Sequence, residues 1–166
     1  MFRPLLLVLI VLSSGGCGVT TAQASELNIE LIEAKGFTDI YVSGKSKKRS
    51  IEQIGKEVNA LFSEVMNPLL DEGIGVDIKI INIDLPGYID YMRGDGNRDI
   101  RIIKDMSIYK MKFKFRLTSD SGELITEGEY SIKEFLDGRA TRIGINKYSS
   151  IYYFKPHLEK WIKSLR

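Results

Sequence analysis

The sequence predicts an α+β domain, an antiparallel sheet of four to five strands with two helices packed on one face. Apolar and basic residues alternate over 109–117, which is typical of a half-buried strand. A second alternating run over 124–132 follows a cluster of turn-forming residues, so the two runs predict an antiparallel hairpin. Apolar residues at spacings of three and four over 51–65 and 154–165 predict the two helices.

Length and composition are those of one globular domain, which we place at residues 25–166. The chain has 166 residues, of which 43% are hydrophobic and 28% are charged. A net charge of +2 gives no reason to expect a nucleic-acid partner. One cysteine, Cys17, and one histidine, His157, are too few for a Cys/His zinc site. We therefore expect no metal, no cofactor and no catalytic residues of that kind.

Residues 1–24 predict an export signal peptide. Arg3 precedes an apolar run, Leu5 to Leu12, which is too short to span about 30 Å of hydrocarbon. Two cleavage sites remain open: before Cys17, in a segment similar to a bacterial lipobox, or after Ala24, in an A-x-A segment. We expect a periplasmic protein in either case.

Cys17 is the candidate lipidation site, and a lipid there would be the protein's only contact with a membrane. Gly18, rather than aspartate, follows the cysteine and would favour delivery to the outer membrane. The alternative is a soluble periplasmic form without a lipid.

The first half of the chain predicts a strand, a helix and a second strand. Leu27 to Ile32 alternates as a strand, and Ser50 with Gln53 forms a capping-box pattern that predicts a helix start. The helical stripe leaves Glu57 facing outward, and Pro68 is expected to end or kink the helix. In the next strand, the apolar parity changes at Ile80 and Ile81, which predicts a β-bulge.

The loop between Asp84 and Arg101 holds the densest group of acidic residues near an arginine, with Asp90, Asp95 and Asp99 between them. Two converging carboxylates could perform acid–base catalysis, so a carboxylate-based hydrolase is one hypothesis for this loop. The residues after Asp95 lack the ligand spacing of an EF-hand calcium site. Turn-forming and strand-end roles are the simpler interpretation. A buried ion pair between Asp84 and Arg101 would be one such role.

Two registers of the predicted hairpin place opposite charges across from each other. In the first register, Lys112 lies opposite Glu129 and Lys114 opposite Glu127. A slip of two residues places Lys114 opposite Glu129 instead. In both, acidic neighbours balance the basic stripe, so we interpret this face as a solvated sheet surface.

The C-terminal helix contains the sequence's lone histidine and its lone tryptophan. Pro156 is compatible only with the first turn of this helix. Trp161 lies on the apolar stripe and is expected in the core, whereas His157 lies off the stripe and is expected to be exposed.

Several ordered fragments resemble the bacterial exported family known as domain-of-unknown-function family 3016. The fragments are Phe37-Thr38-Asp39, Asp84-Leu85-Pro86-Gly87, Asp99-Ile100-Arg101-Ile102, and Tyr153, Lys155, Leu158 and Trp161 in the spacing Y-x-K-x-x-L-x-x-W. Two departures concern the loop. Pro86 stands where the family usually has alanine, and the segment after Ile103 lacks an expected Pro-Arg pair.

The resemblance implies export and a single domain but no activity, and it assigns no catalytic residue. It marks six positions of unknown role: Asp39, Asp84, Gly87, Arg101, Lys155 and Trp161. We therefore expect a non-enzymatic binding or accessory module of the periplasm, with an envelope protein as its partner. The alternatives are a carboxylate-based hydrolase or a small-ligand binder, with a site near the Asp84–Arg101 loop. A ligand groove lined by Tyr109 and Tyr130 is a further form of the binder.

Overall fold

The computed structural model describes residues 26–92, 100–104, 106–136 and 149–165. The expected export leader, with Cys17 and both cleavage sites, lies outside the described residues, as do Asp95 and Asp99. Within the described ranges, no helix has the length and apolar character needed to cross a membrane.

The secondary structure consists of six strands and two α-helices within the described residues. In chain order they are β1 (Leu27–Leu31), α1 (Lys47–Leu70), β2 (Gly75–Asp84), β3 (Tyr88–Asp90), β4 (Ile100–Ile102), β5 (Ile108–Thr118), β6 (Leu124–Phe135) and α2 (Lys155–Ser164). A 3₁₀ turn at Ser150–Phe154 leads directly into α2, with Pro156 in its first turn. The α+β class is therefore as predicted.

The main sheet has four strands in the order β1-β2-β5-β6, and it is mixed rather than antiparallel. β1 pairs with β2 in parallel, whereas β2–β5 and β5–β6 are antiparallel. The predicted all-antiparallel sheet is wrong at β1, because α1 returns the chain so that β2 runs in the direction of β1. β3 and β4 form a separate two-stranded antiparallel sheet.

The helix α1 begins earlier than the capping box at Ser50 predicted. Ser46 is the N-cap, and its Oγ accepts a hydrogen bond from the backbone N–H of Arg49 at 3.4 Å. Ser50 is instead buried inside the helix, where its Oγ accepts from Val42 N at 3.0 Å. The hydroxyl of Ser50 thus satisfies a backbone amide outside the helix rather than one of its own. The helix also continues past Pro68 to Leu70.

The hairpin β5–β6 adopts the second of the two predicted registers, with Lys114 opposite Glu129. The register shifts at Leu117 and Thr118, where Ile125 has no residue directly opposite it. Lys112 still forms an ion pair with Glu129 at 2.7 Å, now across a diagonal. In β2, the predicted bulge is also present, between Ile80 and Asn82.

The core lies between this sheet and the helices. Phe113 of β5 contacts Phe62 of α1 with ring centroids 5.5 Å apart, and Trp161 of α2 with centroids 5.0 Å apart. Trp161 also stacks on Tyr130 of β6 at 5.3 Å and is buried, as expected. One residue of the sheet therefore contacts both helices. Packing of both helices entirely on one face stays a prediction.

Candidate functional site

The segment at Asp39 lies against the end of β2. The Asp39 backbone donates from its N–H to Ile83 O at 3.2 Å and accepts from Leu85 N at 3.1 Å, which forms an isolated parallel bridge with Asp84. Thr38 N donates to the side chain of Asn82 at 2.9 Å. These contacts place the Asp39 carboxylate at the end of the main sheet, beside the small sheet.

Arg101 of β4 reaches the Asp39 carboxylate and forms a two-pronged ion pair with it. The two terminal nitrogens of Arg101 donate to Asp39 Oδ1 at 2.8 Å and Oδ2 at 3.0 Å. They also donate to Pro86 O at 3.0 Å and Tyr41 O at 2.7 Å. The side chain of Arg101 is only 8% exposed. All four terminal N–H groups are therefore engaged, and the arginine joins three chain segments.

The expected pair between Asp84 and Arg101 is not the one that forms. Asp84 Oδ2 instead lies 3.1 Å from Lys110 Nζ on the neighbouring strand β5. The carboxylate of Asp84 therefore pairs with a lysine of the main sheet, whereas Asp39, the bridge partner of Asp84, pairs with the arginine. The predicted ion pair between Asp84 and Arg101 is therefore wrong, because the arginine pairs with Asp39, which is more distant in the sequence.

Gly87 allows the small sheet to pack against its own turn. It has φ +86, and a β-carbon at this position would lie 2.1 Å from the carbonyl oxygen of Ile102. Only glycine therefore fits between β2 and the strand that bears Arg101. Three of the six family-pattern positions, Asp39, Gly87 and Arg101, thus form one structural cluster.

A cavity of about 200 Å³ lies beside this cluster, between α1 and the residues around Arg101. This volume would hold roughly six water molecules. Its polar lining comes from Ser43, Gln53, Glu57, Arg101, Ser149 and Ser150, and its apolar lining from Tyr41, Val42, Ile54 and Leu85.

Gln53 and Glu57 give this cavity an excess of hydrogen-bond acceptors. Gln53 Nε2 donates to Glu57 Oε1 at 2.6 Å, and Ser149 Oγ donates to Glu57 Oε2 at 2.6 Å. Gln53 Oε1 is buried and has no hydrogen-bond partner in the part of the chain that is described. An unsatisfied buried acceptor costs about 1–3 kcal/mol, so this oxygen is an unusual feature.

The sequence predicted neither residue in a site. The capping-box pattern predicted Gln53 as the partner of Ser50, and the helical stripe predicted Glu57 on the solvent-facing side. Their separation of four positions places both on one helix side next to Ile54, and this was the available signal. The pairing of Glu57 with Ser149, 92 positions away, has no local signal.

A larger depression of about 690 Å³ lies on the charged face of the main sheet. Its lining side chains carry both signs of charge and several already pair with one another. Arg116 Nε lies 3.6 Å from Glu127, and Asn28 donates to Asp77 at 3.2 Å. Gln53, which carries the buried acceptor described above, lines the smaller cavity, and we therefore take that cavity as the candidate site.

The remaining family-pattern positions make their contacts on α2. Lys155 Nζ lies 2.5 Å from Glu64 Oε1 of α1 and 3.8 Å from Glu159. The hydrogen bond to Glu64 raises the pKa of Lys155. Lys155 therefore links the two helices, and Trp161 anchors α2 to the sheet.

His157 is half-buried rather than exposed as expected. Its Nε2 lies 2.8 Å from the hydroxyl of Tyr109, and its Nδ1 lies 3.9 Å from Glu134 Oε1. Burial, followed by the charges of Glu134 and Tyr153, raises the pKa of Tyr109 to about 12. The phenol therefore stays protonated at neutral pH, which makes it a poor nucleophile and a good hydrogen-bond partner for the imidazole.

The other predicted features give no second site among the described residues. Asp90 Oδ1 accepts from Met92 N at 2.9 Å, as in a turn. Tyr109 and Tyr130 pack against other rings instead of lining either cavity described above. No group of three or more His, Cys, Asp or Glu side chains is arranged to hold a metal within the described ranges.

The fold and the cluster together define a small α+β domain in which the family-pattern residues Asp39, Gly87 and Arg101 hold separate chain segments together. The family of proteins of unknown function known as DUF3016 matches residues 25–164, and the chain belongs to this family. No curated protein matches the chain. Among solved structures, the chain is similar to lipoprotein GNA1162 from Neisseria meningitidis, with 16% identity. That similarity covers 70% of this chain and 69% of the other, with a TM-score of 0.23.

Proposed function

We propose that this chain is an exported, non-catalytic binding module of the cell envelope, and that its ligand occupies the cavity beside Arg101. The observation that carries the proposal is the buried Gln53 Oε1, which has no hydrogen-bond partner among the described residues and belongs to a residue that lines a cavity with further polar groups. Ligand sites combine apolar walls with polar groups that fix orientation, and both kinds of residue line this cavity. Localisation to the periplasm and lipidation at Cys17 are part of the same proposal.

The hydrogen bonds that Arg101 already makes within the protein support a binding role rather than a catalytic one. Its four terminal N–H groups already donate to Asp39, Tyr41 and Pro86. The arginine therefore has no terminal donor left for an anionic substrate or a developing negative charge. The carboxylates that a hydrolase would use, Asp84 and Asp90, already accept from a lysine and a backbone amide.

The lining indicates the chemistry of the ligand. Gln53 Oε1 and the Glu57 carboxylate are acceptors, and the positive charge of Arg101 is balanced by Asp39. A small neutral or cationic molecule with N–H or O–H donors would satisfy these acceptors. Among the described residues that line the cavity, Arg101 is the only cation and is already paired, so a small anion would meet the carboxylate of Glu57 without compensation.

Calorimetric titration of the protein purified after expression of the full chain tests this proposal. Ethanolamine and glycerol serve as donor-bearing probes, and acetate serves as an anionic probe of similar size. We expect binding of ethanolamine, weaker binding of glycerol and none of acetate. Replacement of Gln53 by leucine removes the acceptor with little change in volume and should weaken ethanolamine binding at least about tenfold.

Asn59→Leu is the matched control, because Asn59 is an exposed amide on the same helix that donates to Gly55 O. This variant should bind ethanolamine as the unmodified protein does. Equal binding by the Gln53→Leu variant, or binding of acetate as tight as that of ethanolamine, would contradict the proposed site. Far-UV circular dichroism establishes that both variants are folded.

A further inference from the structure

The strand β6 is the longest of the strands in the described ranges and lies at one edge of the main sheet. In the part of the chain that the structure describes, no strand pairs with its outer edge. Its pairing with β5 is regular from Thr126 to Phe135, so this part of the edge carries no bulge. Long, regular edges are templates for pairing with another strand unless something covers or interrupts them.

Large apolar side chains are exposed at both ends of this edge, Leu124 and Ile125 at one end and Phe135 at the other. Ile125 is 52% exposed and Phe135 is 55% exposed. The two positions are equally distant from Tyr130, the middle of the strand. A second copy of β6 running antiparallel about a twofold axis at Tyr130 would therefore bring Ile125, the residue at the β5–β6 bulge, close to Phe135 of the copy. The twofold axis repeats this contact, so the Ile125 and Phe135 side chains of both copies would be covered.

The charges of β6 are complementary in the same arrangement. Glu127 and Lys133 are also equally distant from Tyr130, so each glutamate would face a lysine of the other copy. Lys133 has no ion-pair partner among the described residues, and in the hairpin it lies directly opposite another lysine, Lys110. Like charges in that position are destabilising. The glutamate of a second copy would supply the missing counter-charge.

Neighbouring twofold registers are less complementary. Centring the axis on Glu129 places that glutamate opposite itself, which is repulsive. Centring it on Ser131 pairs Glu129 with Lys133 but leaves Glu127 opposite the aromatic ring of Phe135. Only the axis at Tyr130 pairs glutamate with lysine and the two apolar side chains with each other.

We propose that a second copy of this chain pairs antiparallel with β6 about a twofold axis at Tyr130, forming one continuous sheet across the two copies. The pairing uses main-chain hydrogen bonds along the edge for affinity and the side-chain pairs for register. This pairing is independent of the ligand cavity, which is lined by residues of α1, by Arg101 of β4 and by loop residues, and by none of β6.

Light scattering coupled to size-exclusion chromatography tests the proposal on the protein purified after expression of the full chain. Over a roughly hundredfold range of concentration, the mass should rise from that of one chain to that of two. Lys133→Glu should raise the dimer dissociation constant roughly tenfold, because attraction across both ion pairs becomes repulsion. The double variant Lys133→Glu with Glu127→Lys should restore association.

Lys79→Glu is the matched control, since Lys79 is exposed on the same charged sheet face but lies in the interior strand β2. It should leave association unchanged. A protein that stays monomeric at every concentration overturns the proposal. If Lys133→Glu weakens association and the double variant does not restore it, the proposed pairing is wrong.

Disulfide cross-linking of single-cysteine variants reports the register directly. These variants are made in a Cys17→Ser background, which removes the native thiol. A cysteine on the twofold axis lies opposite its own copy, within disulfide range. One position away from the axis, the two thiol-bearing Cα atoms are roughly 8 Å apart, beyond that range. Tyr130→Cys should therefore cross-link, and Glu129→Cys and Ser131→Cys should not. Cross-linking of Ser131→Cys alone would overturn the register.

Discussion

Arg101 holds the Asp39 segment, the turn before β3 and the strand β4 together through one guanidinium group. Its side chain is 8% exposed, and that of Asp39 is 20% exposed, so the pair is largely shielded from water. Removing one member of such a pair leaves the other charge without compensation. Arg101 therefore links these segments, and its replacement should lower the stability of the folded protein.

Arg101→Met should therefore lower the free energy of unfolding by about 3 to 5 kcal/mol. The change removes the arginine donors of two backbone carbonyls and of the Asp39 carboxylate, which keeps the hydrogen bond from Tyr41 N. Urea denaturation gives the measurement. Arg116→Met is the matched control, because Arg116 pairs with Glu127 on an exposed surface and should contribute less than about 1 kcal/mol. Equal losses in the two variants would show that Arg101 does not link these segments.

Comparing Gly87→Ala with Gly122→Ala separates the cost of the left-handed backbone conformation at Gly87 from the cost of its close contact with Ile102. Both Gly87, φ +86, and Gly122, φ +83, have left-handed backbone conformations, which cost alanine about 1–2 kcal/mol. A β-carbon at Gly122 would meet no atom within 4 Å, whereas at Gly87 it would meet the Ile102 backbone. We expect Gly87→Ala to cost at least about 2 kcal/mol more than Gly122→Ala.

Thermal and urea unfolding of the two glycine variants, compared with the unmodified protein, check this prediction. Because both variants share the conformational cost, their difference measures the close approach of Ile102 alone. Equal unfolding free energies would mean that the turn at Gly87 moves to accommodate the methyl group.

At the scale of elements, the sequence predicted correctly two features that depend on residues close together in the chain. The hairpin β5–β6 and the bulge in β2 follow from a period of two and from a change of parity, which are local properties. The start of α1 was misplaced, because Ser46 and Ser50 are both good capping residues. The contact of Ser50 with Val42, outside the helix, decided between them.

The contact between α1 and α2 depends in part on Lys155 and Glu64. A double-mutant cycle with Lys155→Met and Glu64→Gln should give a coupling energy of about 0.2–1 kcal/mol, because both side chains are partly exposed. Urea denaturation at low and high salt measures it. The coupling should shrink in high salt, since salt screens exposed charges. A coupling energy of zero at low salt would contradict the proposed link.

At the scale of the whole molecule, Tyr109 couples folding to alkaline pH. Its pKa is raised from 10.0 to about 12 by burial, Glu134 and Tyr153, so the folded state holds this proton more tightly than the unfolded state. The stabilisation is complete below pH 10 and is lost as the pH rises towards 12. We expect the free energy of unfolding to fall by about 2 kcal/mol across this window.

Urea denaturation at each end of this pH window, in the unmodified protein and in Tyr109→Phe, isolates the effect. Lys155 also has a raised pKa and loses its charge at high pH, but it does so in both proteins. The unmodified protein should therefore show the larger loss. An equal pH dependence in the two proteins would place the titrating group elsewhere.

The sequence by itself determined the α+β class, the hairpin, the apolar faces of both helices and the family. Periodicity and short ordered motifs report these features because each depends on residues that are neighbours in the chain. The tertiary structure alone decided that β1 runs parallel to β2, that Arg101 pairs with Asp39 rather than Asp84, and that Glu57 meets Ser149 beside a cavity. Such choices depend on how distant segments pass one another around the core, and a local pattern of polarity does not contain that path.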